Sequence, residues 1–353
     1  MMKYWILATC LVLAASPALA KSSTPAPTTG PGHDVRIGVL GLFHPKQIVI
    51  SPMAGRTLEC MSEAERLPVR TLLPLQLAAP GIKIASQAAL ASAVHCDDGQ
   101  GSYAEFVVSV PGRISRHYSG RLEIQPGPGE LLIIVSMELQ TAVASVVAAE
   151  ALPGSSPEAL KAQAVAARSF LAAGKGRHRN FDFCDTTHCQ FLRQPPPVES
   201  PAAQAALATR GMVLAYKDEA FAAMYSSSCG GQTHSLEELG IAVRDYPYFS
   251  VWCAYCRRHP EKWVSRISEN DAAGLAPTES ARLKLARRLG WKTFPSNSYS
   301  SHREGSSVLL EGVGAGHGIG LCQRGAADMA RNGASFPEIL QHYYPNTTVK
   351  RLP

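Results

Sequence analysis

At 353 residues the chain is too long for a single small module and has room for two domains. Hydrophobic residues make up 46% and charged residues 18%, with 29 Gly and 25 Pro, a balance that excludes a disordered, coiled-coil or collagen-like chain and points to a turn-rich globular protein. The formal charge of +6 is thinly spread, without a run of five like charges, which argues against a nucleic-acid-binding protein and leaves other anionic polymers open.

Residues 1–20 read as a secretory signal peptide: Lys3 precedes an apolar stretch from Trp5 to Ala15, and Ala18-Leu19-Ala20 supplies a small-x-small cleavage site. The stretch is too short to span a bilayer, and no later run is long and apolar enough to do so, so the mature chain is expected to be exported without a transmembrane segment, to the periplasm or cell wall. Residues 21–33, rich in Ser, Thr, Pro and Gly, have the composition of a flexible linker. From 34 to 130 the signals are short and β-like: Val35–Leu40, Gln47–Ile50, Phe106–Val110 and Arg121–Ile124, separated by Gly and Pro turns. Pro126-Gly-Pro-Gly129 is a break, and Leu131–Val135 reads as a buried strand opening a second domain over 131–353.

That second domain carries both kinds of element. A small-residue helix is expected from Thr141 to Leu152. Another follows, with Ser156 as N-cap, Pro157 at its first position, Leu160, Ala164, Ala167 and Leu171 at helical spacing, and Gly174 at its end. Met212–Tyr216 and Ala220–Tyr225 read as strands, 270–290 as helical, Leu321–Arg331 as a helix stopped near Gly333, and the segment after Ser335 as a short capped helix ending at Tyr343-Tyr344-Pro345. The fold class is therefore α+β, a β-rich N-terminal region followed by a mixed domain.

Four separated blocks carry a resemblance. Val146-Val-Ala-Ala-Glu150-Ala-Leu-Pro with Ala159-Leu-Lys-Ala-Gln-Ala-Val-Ala-Ala-Arg168, then Tyr225-Ser-Ser-Ser-Cys-Gly-Gly-Gln-Thr, Tyr246-Pro-Tyr-Phe, and Gly316-His-Gly-Ile-Gly-Leu-Cys-Gln323 closing with Ile339-Leu-Gln-His-Tyr-Tyr-Pro, stand in the order of the stage II sporulation protein D / LytB amidase-enhancer family. The chain resembles that family over roughly residues 118–353, and the lead-in before Arg116 matches only loosely. The resemblance implies a SpoIID-like catalytic domain and a peptidoglycan lytic transglycosylase, which cleaves between N-acetylmuramic acid and N-acetylglucosamine in glycan strands and leaves a 1,6-anhydro sugar. The alternative within the family is a non-catalytic, glycan-binding amidase enhancer with a cell-wall amidase as partner. Sporulation itself is not implied.

The resemblance places the catalytic glutamate at Glu150. The residues around it agree, because a carboxyl among valines and alanines is disfavoured as a charge and moves toward the pKa of a general acid, whereas an exposed helix-end glutamate is the plain alternative. Gln163 and Arg168 on the next helix either meet sugar hydroxyls and a muramyl carboxylate or simply tie the helix to a neighbour. His317, within Gly312-Val-Gly-Ala-Gly-His-Gly-Ile-Gly, and Gln323 are candidate substrate-binding groups. The glycine run lacks the Gly-Lys-Ser/Thr ending of a phosphate loop and suits close backbone approach instead.

Of nine cysteines, Cys10 falls in the leader. The rest allow disulfides in an exported chain, with Cys60 and Cys96 as a pair or as two buried thiols. The clusters Cys184-Asp-Thr-Thr-His188-Cys189 and Cys253-Ala-Tyr-Cys256 also suit tetrahedral zinc. Members of the family resemble this in holding zinc in the loop after the Ala-rich helix, where the candidates are His178, Cys184 and Cys189. No organic cofactor is expected. A zinc peptidase lacks its His-Glu-x-x-His motif here, and a cysteine nucleophile at Cys229 or Cys322, paired with His234 or His317, is a further option.

Overall fold

A computed structural model describes residues 34–352 apart from 64, 242–245, 248 and 249. The expected signal peptide (1–20) and linker (21–33) lie outside the described residues. The chain is α+β, as expected. Strands β1 (Asp34–Gly38), β2 (Gln47–Pro52), β3 (Glu59–Met61), β4 (Arg66–Pro68), β5 (Leu73–Ala78), β6 (Gly81–Ile84), β7 (Val94–Asp97), β8 (Ala104–Val110), β9 (Ile114–Pro126) and β10 (Leu131–Glu138) build one large sheet. Its main path runs β1-β10-β9-β8-β2-β5-β6, with β3, β4 and β7 joined at the side through β9. Alternation sets its inner face: in β8, Ala104, Phe106, Val108 and Val110 are buried while the residues between them are not. Cys60 and Cys96 stand opposite each other on β3 and β7 and form a disulfide.

The expected junction at 130/131 falls inside this sheet. β10 pairs with β9 on one side and β1 on the other, so the strand read as the start of the second domain completes the first. The cause is the hairpin at Pro126–Glu130, where Gly127 N–H donates to the Glu130 carbonyl and turns β9 back on itself.

From β10 the chain passes into α1 (Leu139–Glu150) and α2 (Pro157–Ala173), then β11 (Phe183–Cys184), α3 (Pro201–Ala208) and β12 (Met212–Tyr216). Helix α2 is buried on nearly every side between α1, α3 and β12, and its alanines let these neighbours approach closely. β11 pairs in parallel with β1, Ile37 opposite Phe183, and so fastens the loop after α2 to the edge of the large sheet.

The remaining elements are β13 (Glu219–Ala220), β14 (Tyr225–Ser226), α4 (Ala254–Arg258), β15 (Lys262–Ser268), α5 (Glu269–Ala272), α6 (Glu279–Leu289), β16 (Tyr299–Glu304), β17 (Ser307–Val313), β18 (Leu321–Cys322), α7 (Gln323–Arg331), α8 (Phe336–Tyr343) and β19 (Thr348–Arg351). Three expectations change here. Ala220–Tyr225 is not one strand, because the chain crosses between sheets: β13 pairs with β12, and β14 pairs in parallel with β18. The helix expected over 270–290 is broken by Gly274-Leu-Ala-Pro277, after which Thr278 caps α6 by accepting from Ala281 N–H. Leu321 and Cys322 pair as strand before α7 begins at Gln323. The Ser335 cap stands as expected, with a reciprocal Ser335–Glu338 capping box.

Arg168 is 1% exposed and its guanidinium is spent inside the fold. Nη1 donates to the Met212 carbonyl (3.1 Å) and Thr209 Oγ1 (3.3 Å), and Nη2 to the Ala206 carbonyl (2.9 Å) and Gln140 Oε1 (3.1 Å). One side chain of α2 thus ties α1, α3 and β12 together. Of the two roles left open for it in the sequence, the geometry carries the structural one, because the donors that would grip a muramyl carboxylate already face the Met212 and Ala206 carbonyls, Thr209 Oγ1 and Gln140 Oε1. Burial lowers its pKa to about 10, which still leaves it charged at neutral pH. Replacing Arg168 by Met strands these acceptors, and we expect a loss of about 3 kcal/mol in urea unfolding. Arg168→Lys should recover only part of it, since an ammonium lacks the planar fork.

Candidate active site

Glu150 is the last residue of α1, and the chain leaves the helix at Ala151-Leu-Pro153. A carboxylate at a helix C-terminus faces the negative end of the helix dipole. Three segments distant in sequence close around it. Oε1 accepts from the main-chain N–H of Phe191 at 2.6 Å, and Oε2 accepts from the hydroxyl of Tyr225 on β14. The Glu150 carbonyl accepts from Gln323 Nε2, at the first position of α7, at 2.8 Å.

Burial pushes the Glu150 carboxyl above its ordinary value, and the Tyr225 hydroxyl and Phe191 amide pull in the opposite direction without cancelling it. No second charged group among the described residues contributes to the shift. Tyr225 is held protonated by its own burial and by the neighbouring Glu150, so it serves as a donor to the carboxylate.

Gln163 is 3% exposed on α2 and lies against Tyr225; its Nε2 has no hydrogen-bond partner among the described residues. Gln323 is 8% exposed, and its amide nitrogen is committed to the main chain of Glu150, which makes it a positioning group in place of the sugar contact expected from sequence. His317 is brought to the same neighbourhood: its Nδ1 accepts from Ile319 N–H at 3.0 Å, and it lies beside the main chain of Tyr225. Burial lowers its pKa to about 4, opposed by Glu279, so the ring is neutral at pH 7. The glycines around it serve the approach of two backbones: a Cβ on Gly320, whose φ is +68°, would meet the Met224 carbonyl oxygen at 2.1 Å.

The loop after α2 gathers a second set of groups. His178 Nε2 lies 3.3 Å from Cys189 Sγ, and His188 Nδ1 lies 3.7 Å from Cys184 Sγ and 3.5 Å from Cys189 Sγ. One donor atom from each of the four falls within 4.8 Å of all the others. Two imidazoles and two thiols at this spacing fit tetrahedral zinc. Sequence reasoning named His178, Cys184 and Cys189 and left out His188, although its place beside Cys189 was a usable signal. Asp185 roots the loop by accepting from Leu40 N–H at 3.1 Å and from Arg116 Nη1 at 2.9 Å.

The cysteine-nucleophile option has no geometry behind it. Cys229 and Cys322 lie with Cys253 and Cys256, whereas His234 Nε2 meets Ser298 Oγ at 3.0 Å. A cleft of about 530 Å³ lined by Gly230, His234, Trp252, Arg257 and Asn297 lies beside this region, and Glu150 is not on its wall. Trp252 is 59% exposed there, with the Arg257 guanidinium stacked 4.1 Å from its ring centre.

The carboxyl pKa yields a signed expectation. A glutamate whose folded pKa exceeds its unfolded value contributes stability that is fully present below about pH 4.5 and is lost as pH rises through the folded pKa. Glu150→Gln should remove that fall and make the protein more stable than the parent at neutral pH, read by thermal unfolding across a pH series. Tyr225→Phe deletes a pKa-lowering donor, so carboxyl titration followed by NMR should move further upward.

Residues 128–216 match the family model of the stage II sporulation protein, SpoIID, a span that includes Glu150, α2 and the His178–Cys189 loop. The chain is 29% identical to an uncharacterised protein of Brachyspira hyodysenteriae over 64% of this chain and 70% of that one. It is 26% identical to stage II sporulation protein D of Bacillus amyloliquefaciens over 61% of this chain and 75% of that one. It is also 26% identical to the amidase enhancer of Bacillus subtilis, over 54% of this chain and 38% of that one. Over the segment that carries Glu150 and the Phe191 amide, the chain is similar to the stage II sporulation protein D and amidase-enhancer proteins.

Proposed function

We propose that the chain is a lytic transglycosylase of peptidoglycan glycan strands, with Glu150 as both acid and base. The observation that supports this is one carboxyl group, held at its two oxygens by a phenol and an amide, whose ionisation is opposed by burial and influenced by no second charge among the described residues. Glycoside hydrolysis ordinarily uses two carboxyl groups, about 5–5.5 Å apart for retention and roughly 6.5–9.5 Å for inversion. A single group suffices when the substrate supplies its own nucleophile.

In the proposed reaction, protonated Glu150 gives its proton to the glycosidic oxygen as the bond from the muramyl C1 breaks, and N-acetylglucosamine leaves with a free 4-hydroxyl. The resulting carboxylate takes the proton of the muramyl C6 hydroxyl while that oxygen bonds to C1. The 1,6-anhydro ring closes, the acid is restored, and no water is consumed. Tyr225 steadies the carboxylate between the two proton transfers. Gln163, buried against Tyr225, helps to hold that phenol in place beneath the carboxyl.

The same reading gives His178, Cys184, His188 and Cys189 to one zinc ion. With all four positions supplied by protein, such an ion is structural and activates no water. Phe191, whose amide binds Glu150, comes two residues after Cys189, so the metal loop sets one of the two clamps on the carboxylate. His188→Ala is expected to cost one zinc per chain, measured by elemental analysis, and to lower turnover without abolishing it.

A second reading is supported by the amidase-enhancer relative. In it the chain binds glycan strands and stimulates a cell-wall amidase without cleaving them. Intact and amidase-stripped strands, incubated with the parent and with Glu150→Gln and analysed by mass, separate the two. Anhydro products from the parent, reduced at least about 100-fold in the variant, are expected. Strand binding without products, together with amidase stimulation that Glu150→Gln retains, would move the conclusion to the enhancer.

A further inference from the structure

Cys229, Cys253, Cys256 and Cys322 come from three segments far apart in sequence, are all buried, and place their four sulfurs within 4.8 Å of one another. We propose that these four cysteines bind a single zinc ion, at a site separate from the His178–Cys189 loop, and that this ion fastens the segments carrying Tyr225 and Gln323.

The geometry suits one ion. At a Zn–S bond of about 2.3 Å, four tetrahedral thiolates stand roughly 3.8 Å apart. Cys256 and Cys322 sulfurs are 3.5 Å apart. Two disulfides would draw the sulfurs into two tight pairs, and an iron–sulfur cluster would spread its thiolates over a wider cage. Four unbonded sulfurs, all within 4.8 Å of one another, match neither arrangement.

The surroundings are those of a built site. Cys253 and Cys256 flank the start of α4 as a Cys-x-x-Cys pair, the spacing by which one turn presents two ligands. Cys229 is followed by Gly230 at φ +73°, which lets the chain turn sharply away from the sulfur. Around the sulfurs, Tyr343 Oη stands 3.5 Å from Cys253 and Ser228 Oγ 3.6 Å from Cys256, hydroxyls positioned to hydrogen-bond thiolates. A Cβ on Gly325 would lie 2.6 Å from Cys253 Sγ, so α7 packs directly on the cluster.

The site also has a purpose in the fold. Cys322 pairs opposite Ser226 across β14 and β18, next to Tyr225, and immediately precedes Gln323. An ion here would lock together the two segments that reach Glu150 from this side. The proposal concerns a structural ion and stands whether the chain cleaves glycan or only binds it.

The test compares zinc content in the parent, in Cys253→Ser/Cys256→Ser and in His178→Ala/His188→Ala. The cysteine pair variant is expected to lose one zinc per chain relative to the parent, and the histidine pair variant is expected to keep that one. Should the cysteine variant fail to fold, cobalt substitution in the histidine variant keeps the question open to measurement, with the charge-transfer and ligand-field bands of four thiolates expected. Alkylation of the denatured, unreduced parent is expected to modify Cys184, Cys189, Cys229, Cys253, Cys256 and Cys322. Iron in place of zinc, no cobalt–thiolate bands, or masses showing that Cys229, Cys253, Cys256 and Cys322 are joined in disulfides would overturn the proposal.

Discussion

The rest of the structure is organised around a carboxyl group in an unfavourable place. Glu150 ends a helix whose dipole repels its charge, and the half-buried position of its carboxyl strips away part of the water that would otherwise solvate it. Such a group persists in one geometry only if other parts of the chain supply donors, and here they arrive from Phe191 and Tyr225, while Gln323 holds the main-chain carbonyl of the same residue. Each comes from a different stretch of sequence, so the site exists only when the loop after α2, the β14–β18 pair and the start of α7 have all assembled.

The platform beneath that site is helix α2. Its alanines bring α1 and α3 close, and closeness would leave carbonyls without partners at the ends of α3 and in β12; the Arg168 guanidinium supplies the missing donors. A charge with five donors and no carboxylate partner is an unusual occupant of a protein interior. It is tolerated because both terminal nitrogens of its fork meet oxygens, although Nε is left without a partner among the described residues, and because guanidinium is more weakly hydrated than ammonium and so easier to bury.

Local signals carried much of the fold. Alternation in β8 and the Ser156-Pro157 start of α2 were readable because each depends on residues within a few positions of one another. The strand at 131–135 was also readable, but its partners were not, since pairing with β1 is set by residues nearly a hundred positions away. The site divides in the same way. Glu150 and the Cys184–Cys189 cluster stand out in sequence, whereas Tyr225 looked like any strand tyrosine until β14 brought it to the carboxylate. Arg168 and Gln323 were legible as unusual residues on helices, and their roles were not, because a side chain's partner is a fact of tertiary structure. The cysteines at 229 and 322 gave no spacing to read.

The parallel pairing of β11 with β1 gives the loop from Phe183 to Phe191 two attachments of different kinds. At one end it is a strand of the N-terminal sheet; at the other it is a hydrogen-bond donor to the acid. The N-terminal region is therefore no detachable neighbour of the SpoIID segment but the abutment against which one oxygen of Glu150 is braced. Nine residues thus connect the edge of that sheet to one oxygen of the acid.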